Sequence, residues 1–151
     1  MLIYRLSRSI HSALDGEGAR LYGGRWNSAG RPVVYASATL SLAALERLVH
    51  LSLKTLPLDL VAYHIDVPDD LAVPTIAAAL LPTDWRTPGS DACRDAGDAW
   101  LTAGASVTLK VPSAVVAGEF NFLVNPWHPD FVRLSVGATI PFAFDPRLVV
   151  R

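Results

Sequence analysis

A chain of 151 residues, 51% of them hydrophobic, is long enough to bury one real core and too short to suggest two. Thirteen basic residues against fourteen acidic ones leave a net charge of -1, which argues against a nucleic-acid binder relying on a broad basic surface. A single cysteine, Cys93, and no Cys/His spacing exclude an internal disulfide and a zinc site, and no apolar run approaches the roughly 20 residues that cross a bilayer, so a cytoplasmic protein is expected.

Residues 2–6 alternate weakly and read as a first strand, followed by a polar, glycine-rich stretch over 7–30 that is too long for an idle connection. Residues 32–37 form a buried strand, and Thr39 is placed to cap a helix running to about Lys54. A strand over 60–67 stops at Pro68. The segment 68–89 is proline-rich and irregular, with one short helix around 76–80. Ser90 caps a second helix through Ala103, which Gly104 terminates. Short strands then dominate, over 107–111, 120–124, 132–136 and 139–144. Mixed in this way, the elements indicate a single α+β domain rather than a regular alternation of parallel units. No glycine-rich dinucleotide motif follows a strand and opens a helix.

Charge is unevenly spread. Residues 1–50 hold six arginines against Asp15, Glu17 and Glu46, whereas 51–100 hold three basic residues against eight aspartates. A basic first third suits a small anionic ligand, although a solvated mixed surface gives the same count.

The densest chemical signal is Gly23-Gly24-Arg25-Trp26-Asn27. Glycines let backbone approach a ligand closely, and an adjacent arginine can grip a phosphate through two parallel hydrogen bonds. A turn with a solvated arginine and a core tryptophan is the plainer account of the same pentapeptide. Tyr35 is either a core residue or a platform for a planar base. Glu46, Arg47, His50 and Lys54 fall on one helical stripe, which favours a solvated face over a cleft. Ser113 follows a strand without a Gly-x-Ser-x-Gly elbow, so a hydrolase triad is not expected. His128 and Asn125, beside prolines, read as structural turn residues.

Four pieces occur in order over nearly the whole chain: Tyr4-Arg5-Leu6, GGRWNSAGRPVVYAS, the helix with LERLVH, and VPSAVVAGEFNFLVNPWHPDF. Together they resemble the RES family, named for an arginine, a glutamate and a serine. The resemblance places those residues on Arg25, Glu46 and Ser113, and the family's tyrosine on Tyr35. It implies one RES domain over 1–151, with a fold similar to ADP-ribosyltransferase toxins: a split antiparallel sheet clasping NAD between its halves. It also implies the toxin of a toxin-antitoxin system, which breaks the nicotinamide-ribose bond of NAD by hydrolysis or phosphorolysis.

In that reading Arg25 binds the pyrophosphate and Tyr35 stacks on nicotinamide. Glu46 steadies the ribose and its developing positive charge, and Ser113 holds the ribose or the nicotinamide amide. Trp26 and Asn125 complete the NAD site. NAD is the substrate, with no prosthetic group and no metal. The implied partner is an Xre-like helix-turn-helix antitoxin, and a homodimer stays open. Two alternatives are transfer of ADP-ribose to a cellular protein and a non-catalytic module that only binds the antitoxin. Arg25 stands where related transferases carry a histidine, and Ser113 stands where they carry a late-strand glutamate. A small acceptor is therefore expected over a protein one.

Overall fold

The computed structural model describes residues 1–11, 14–51 and 56–148. In chain order its strands and α-helices are β1 (Leu2–Arg8), α1 (Glu17–Tyr22), β2 (Val34–Ser37), α2 (Leu40–Leu48), β3 (Leu60–Asp66), α3 (Asp91–Ala103), β4 (Thr108–Pro112), β5 (Phe120–Val124), β6 (Ser135–Val136) and β7 (Ile140–Phe142). Three 3₁₀ turns, Ala78–Leu80, Pro129–Arg133 and Pro146–Leu148, lie between or after them.

All pairings between named strands are antiparallel, in the order β4-β5-β2-β1-β3-β6, with β7 also on β3. The pairings differ greatly in extent. β1 and β3 stay in register over seven pairs, from Leu2↔Asp66 to Arg8↔Leu60, whereas β1 and β2 share only Tyr4↔Ser37. β2 then runs beside β5 from Val34↔Val124 to Ser37↔Asn121. The sheet is therefore two halves joined at one point, the split antiparallel arrangement that the family resemblance implies.

Side-chain alternation assigns each face its own core, as the period of two in a strand requires. On β5, Phe122 and Val124 join Ile3, Val34, Ile65 and Val107 on one side. Leu123 points the other way and packs with Leu109, Val111 and the buried face of α3 at Cys93 and Trp100. A third cluster, built on Leu6, Leu60 and Ala62, receives α2 through Ala43. The cap of α2 is the expected one, since the Leu42 N–H donates to Thr39 Oγ1 at 3.1 Å.

Four expectations need correction. The stretch 7–30 is not all loop: β1 runs on to Arg8, and α1 forms around an ion pair one turn apart between Arg20 and Glu17. α2 ends at Leu48 rather than near Lys54, which lies outside the described residues. The strand expected over 132–136 is mostly the 3₁₀ turn Pro129–Arg133, and only Ser135–Val136 is strand. Pro129 starts that turn and His128 Nδ1 accepts from the Asp130 N–H, so local capping overrides the β-branched residues that suggested a strand. Ser90 sits at the N-cap of α3, but its side chain makes no capping bond.

Candidate active site

The narrow junction between β1 and β2 opens into a cavity of about 690 Å³. Its walls come from β1 (Tyr4 to Ser7), the end of β2 (Tyr35 to Ser37), α2 (Ala43, Glu46, Arg47) and Asn121 at the start of β5. Glu46 and Arg47 reach it because they lie three or four residues beyond the buried Leu42 and Ala43, on the inward side of α2.

Glu46 is the best-positioned group in the cavity. Its Oε1 accepts the Ser113 hydroxyl at 2.7 Å and the Asn121 side-chain amide at 2.5 Å. Asn121 is itself oriented by the Ser37 hydroxyl, which donates to its Oδ1 at 2.7 Å. Ser113 is only 1% exposed, and its Oγ also accepts the N–H groups of Val115 and Val116 at 3.1 and 3.0 Å. Three residues, from β2, β5 and the turn after β4, thus fix one carboxylate oxygen of α2. The other, Oε2, has no hydrogen-bond partner among the described residues.

The Gly23 to Asn27 turn forms the wall beside Tyr35. The Tyr35 hydroxyl donates to Asn27 Oδ1 at 2.7 Å and accepts the Trp26 N–H at 3.1 Å. Asn27, fully buried, donates to the carbonyls of Ala19, Ser28 and Arg31, each at 3.0 Å. Burial pushes the Tyr35 phenol well above its usual value, against the smaller opposing effect of the Trp26 N–H. Gly24 is required here, because a Cβ would lie 2.5 Å from the Tyr35 hydroxyl oxygen. α3 clamps the turn from outside: Asp98 accepts both the N–H and the hydroxyl of Ser28, at 3.0 and 2.5 Å.

Arg25 leaves this turn toward the segment before α3. Its Nη1 donates to the carbonyls of Trp85 and Thr87 at 2.8 and 3.1 Å, and its Nη2 to that of Arg86 at 3.1 Å. The guanidinium lines the cavity while holding a stretch of backbone in place. Two further arginines, Arg5 and Arg47, line the same cavity, so its lining holds three arginines and one carboxylate. Burial lowers the pKa of Arg5, with Asp15 and Tyr63 opposing and Arg47 adding to the effect.

Of the residues singled out from sequence, Arg25, Tyr35 and Glu46 are brought together around one cavity, and Ser113 stands behind Glu46 rather than in the lining. Trp26 lines the cavity, but it is 2% exposed and its ring packs in the core 6.5 Å from that of Trp85. Exposing a ring of that size would forfeit on the order of 2–3 kcal/mol, which makes it a poor stacking platform. Asn125 lies beyond the far end of β5, accepts the Trp127 N–H at 3.0 Å and does not line the cavity. Sequence reasoning missed Asn121, Ser37, Arg5 and Arg47 as site residues. Ser37 and Asn121 lie inside the blocks that carry the family resemblance, but they meet only through strand register.

Comparison with known proteins agrees with this architecture. The chain is 40% identical over 153 residues to a Photorhabdus laumondii protein named Toxin Res, covering 99% of this chain and 97% of the relative. It is 36% identical over 139 residues to a Sphingobium protein named Prs ADP-ribosylating toxin, covering 90% and 86% of the two chains. The fold matches the crystal structure of the M. tuberculosis MbcT-MbcA toxin-antitoxin complex, with a TM-score of 0.76 at 23% identity over 98% of this chain and 86% of that one. The sequence model of the RES domain matches residues 2–145, from the first residue of β1 to just past β7, and the chain belongs to the RES domain family.

Proposed function

We propose that this protein is the toxin of a toxin-antitoxin pair and an enzyme that acts on NAD, breaking the bond between nicotinamide and ribose. The observation that carries the reading is Glu46: one oxygen pinned by Ser113 and Asn121, the other without a partner, in a cavity large enough for part of a dinucleotide. Its relatives named as toxins support the biological role, and the family supports NAD as substrate.

As the bond breaks, nicotinamide departs with the bonding electron pair and the ribose carbon becomes cation-like. A carboxylate whose position is fixed in advance stabilises that charge without reorganising. Nicotinamide is a good leaving group when positively charged, so positioning and electrostatics supply the acceleration without a covalent nucleophile. Water or phosphate then bonds to the ribose carbon, releasing ADP-ribose with a proton, or its 1″-phosphate. Tyr35 borders the space for the nicotinamide. Ser113 acts through Glu46 in this reading and does not hold the ribose itself. An Xre-like helix-turn-helix antitoxin would restrain the enzyme, and the cytoplasm, where NAD is plentiful, is its place of action.

The name of the Sphingobium relative favours one rival, transfer of ADP-ribose to a protein. NAD labelled in both nicotinamide and adenine separates the two. Purified toxin should release free nicotinamide and leave the adenine label in a small molecule, in buffer and in lysate alike. Adenine label accumulating on one protein band, with little turnover by the purified toxin alone, would establish the rival.

A further inference from the structure

The cavity holds a pair of charges that the Glu46 network does not use. Arg5, from β1, donates one bond, from Nη1 to the Tyr35 carbonyl at 3.1 Å, and its Nε is buried without a partner. The side chain of Arg47, from α2, has no hydrogen bond or ion pair with any described residue, and its Nε is likewise buried and unpaired. The two groups are close enough that the charge of Arg47 counts against that of Arg5. Asp15 acts on Arg5 only through space, without an ion pair.

Like charges that line one cavity, with buried and unpaired Nε atoms, are unfavourable until an anion joins them. Arg25, in contrast, is already engaged by three carbonyls. Each guanidinium is a planar fork suited to two oxygens of one phosphate, and two forks match the two charges of a diphosphate diester. Successive residues on a helix diverge by about 100°, so Arg47 and Glu46 address different parts of the cavity. An anion held by the first therefore need not meet the carboxylate of the second.

We propose that Arg5 and Arg47 together form the anion subsite of this cavity, that its ligand is the diphosphate of a dinucleotide, and that Arg25 is not the diphosphate clamp. The identity of the ligand rests on the NAD reading above, and the preference of the subsite for an anion does not.

Calorimetric titration of the full chain with ADP-ribose and with inorganic pyrophosphate tests this. Arg47→Gln should weaken ADP-ribose binding by about tenfold or more, the effect of losing one charge-assisted phosphate contact. The salt dependence of binding should become shallower, while nicotinamide affinity stays the same. Arg47→Lys should fall between parent and Arg47→Gln, and it serves as the test variant if the glutamine form does not fold. Affinity for ADP-ribose within about twofold of the parent in Arg47→Gln overturns the subsite. So does a larger loss in Arg25→Gln than in Arg47→Gln, or no binding of either probe to the parent at millimolar concentration. If ADP-ribose binding depends on Arg47 but the parent never cleaves NAD, the subsite stands and the proposed reaction fails. If NAD is cleaved and Arg47→Gln leaves its KM unchanged, the subsite fails alone.

Discussion

Ser113, 1% exposed and outside the cavity lining, donates to Glu46 Oε1 at 2.7 Å while accepting two backbone N–H groups. It orients the carboxylate from behind. Ser113→Ala should therefore lower kcat for NAD by about tenfold with little change in KM, whereas Glu46→Gln, which removes the charge itself, should cost about 100-fold or more. The alanine variant should also lose about 1–3 kcal/mol of stability, because the N–H groups of Val115 and Val116 lose their acceptor. A Ser113→Ala enzyme with normal kcat and a raised KM would mean that the serine touches the substrate instead.

Tyr35→Phe distinguishes a stacking ring from a structural hydroxyl. The hydroxyl bridges Asn27 and Trp26, so the variant should lose about 1–2 kcal/mol even though an aromatic face remains. The loss should depend on pH. Burial raises the Tyr35 pKa in the folded state, so its contribution is complete below about pH 10 and declines as pH rises above that value. At pH 10.5 the gap in stability between parent and Tyr35→Phe should be smaller by roughly 1 kcal/mol than at pH 8. Urea unfolding at the two pH values measures it, and an unchanged gap would show that the phenol titrates alike in both states.

How far the sequence could be read depended on whether a feature was local. Thr39 caps α2 as expected, because a cap is decided within four residues. α1 was hidden, because a six-residue helix that buries none of its side chains and is held by an Arg20 to Glu17 pair shows no apolar stripe. Glu46 was ambiguous for a similar reason. Its spacing to Arg47, His50 and Lys54 suggested a solvated face, yet its spacing of four and three from the buried Leu42 and Ala43 places it inward. Asn121 was out of reach, since only the β2 to β5 register carries it to Ser37 and thence to Glu46. Arg25 and Trp26 show the converse. The motif was visible, but the roles of neighbouring side chains depended on a segment about 60 residues away.

Gly97 should be intolerant of even the smallest side chain. A helix interior normally gains about 1 kcal/mol from Gly to Ala. Here the added Cβ would lie 1.8 Å from the Trp26 carbonyl oxygen, a backbone atom that cannot give way cheaply. Gly97→Ala should therefore destabilise by about 1–3 kcal/mol and displace the turn that carries Arg25. Thermal melting checks the first effect, and loss of NAD turnover in the fraction still folded checks the second. A variant that melts at or above the parental temperature would show that α3 and the turn are not in close contact.

The last prediction concerns Arg25, whose guanidinium holds the carbonyls of three consecutive residues, Trp85, Arg86 and Thr87, at the wall of the cavity. A lysine keeps the charge, but its compact ammonium cannot reproduce a fork spread over three acceptors. If Arg25 tethers this wall, Arg25→Lys should speed amide exchange across residues 82–90 by about tenfold, matching the loss of one to two net hydrogen bonds. Exchange in β1 and β3, on the other half of the sheet, should stay at the parental rate. NAD turnover should fall as well, because Pro88 and Gly89 at the end of the tethered stretch line the cavity. A direct diphosphate clamp makes the opposite forecast: exchange over 82–90 unchanged without ligand, and ADP-ribose binding weakened as strongly as by Arg47→Gln. Hydrogen exchange on the free protein, read beside the titration, separates the two roles.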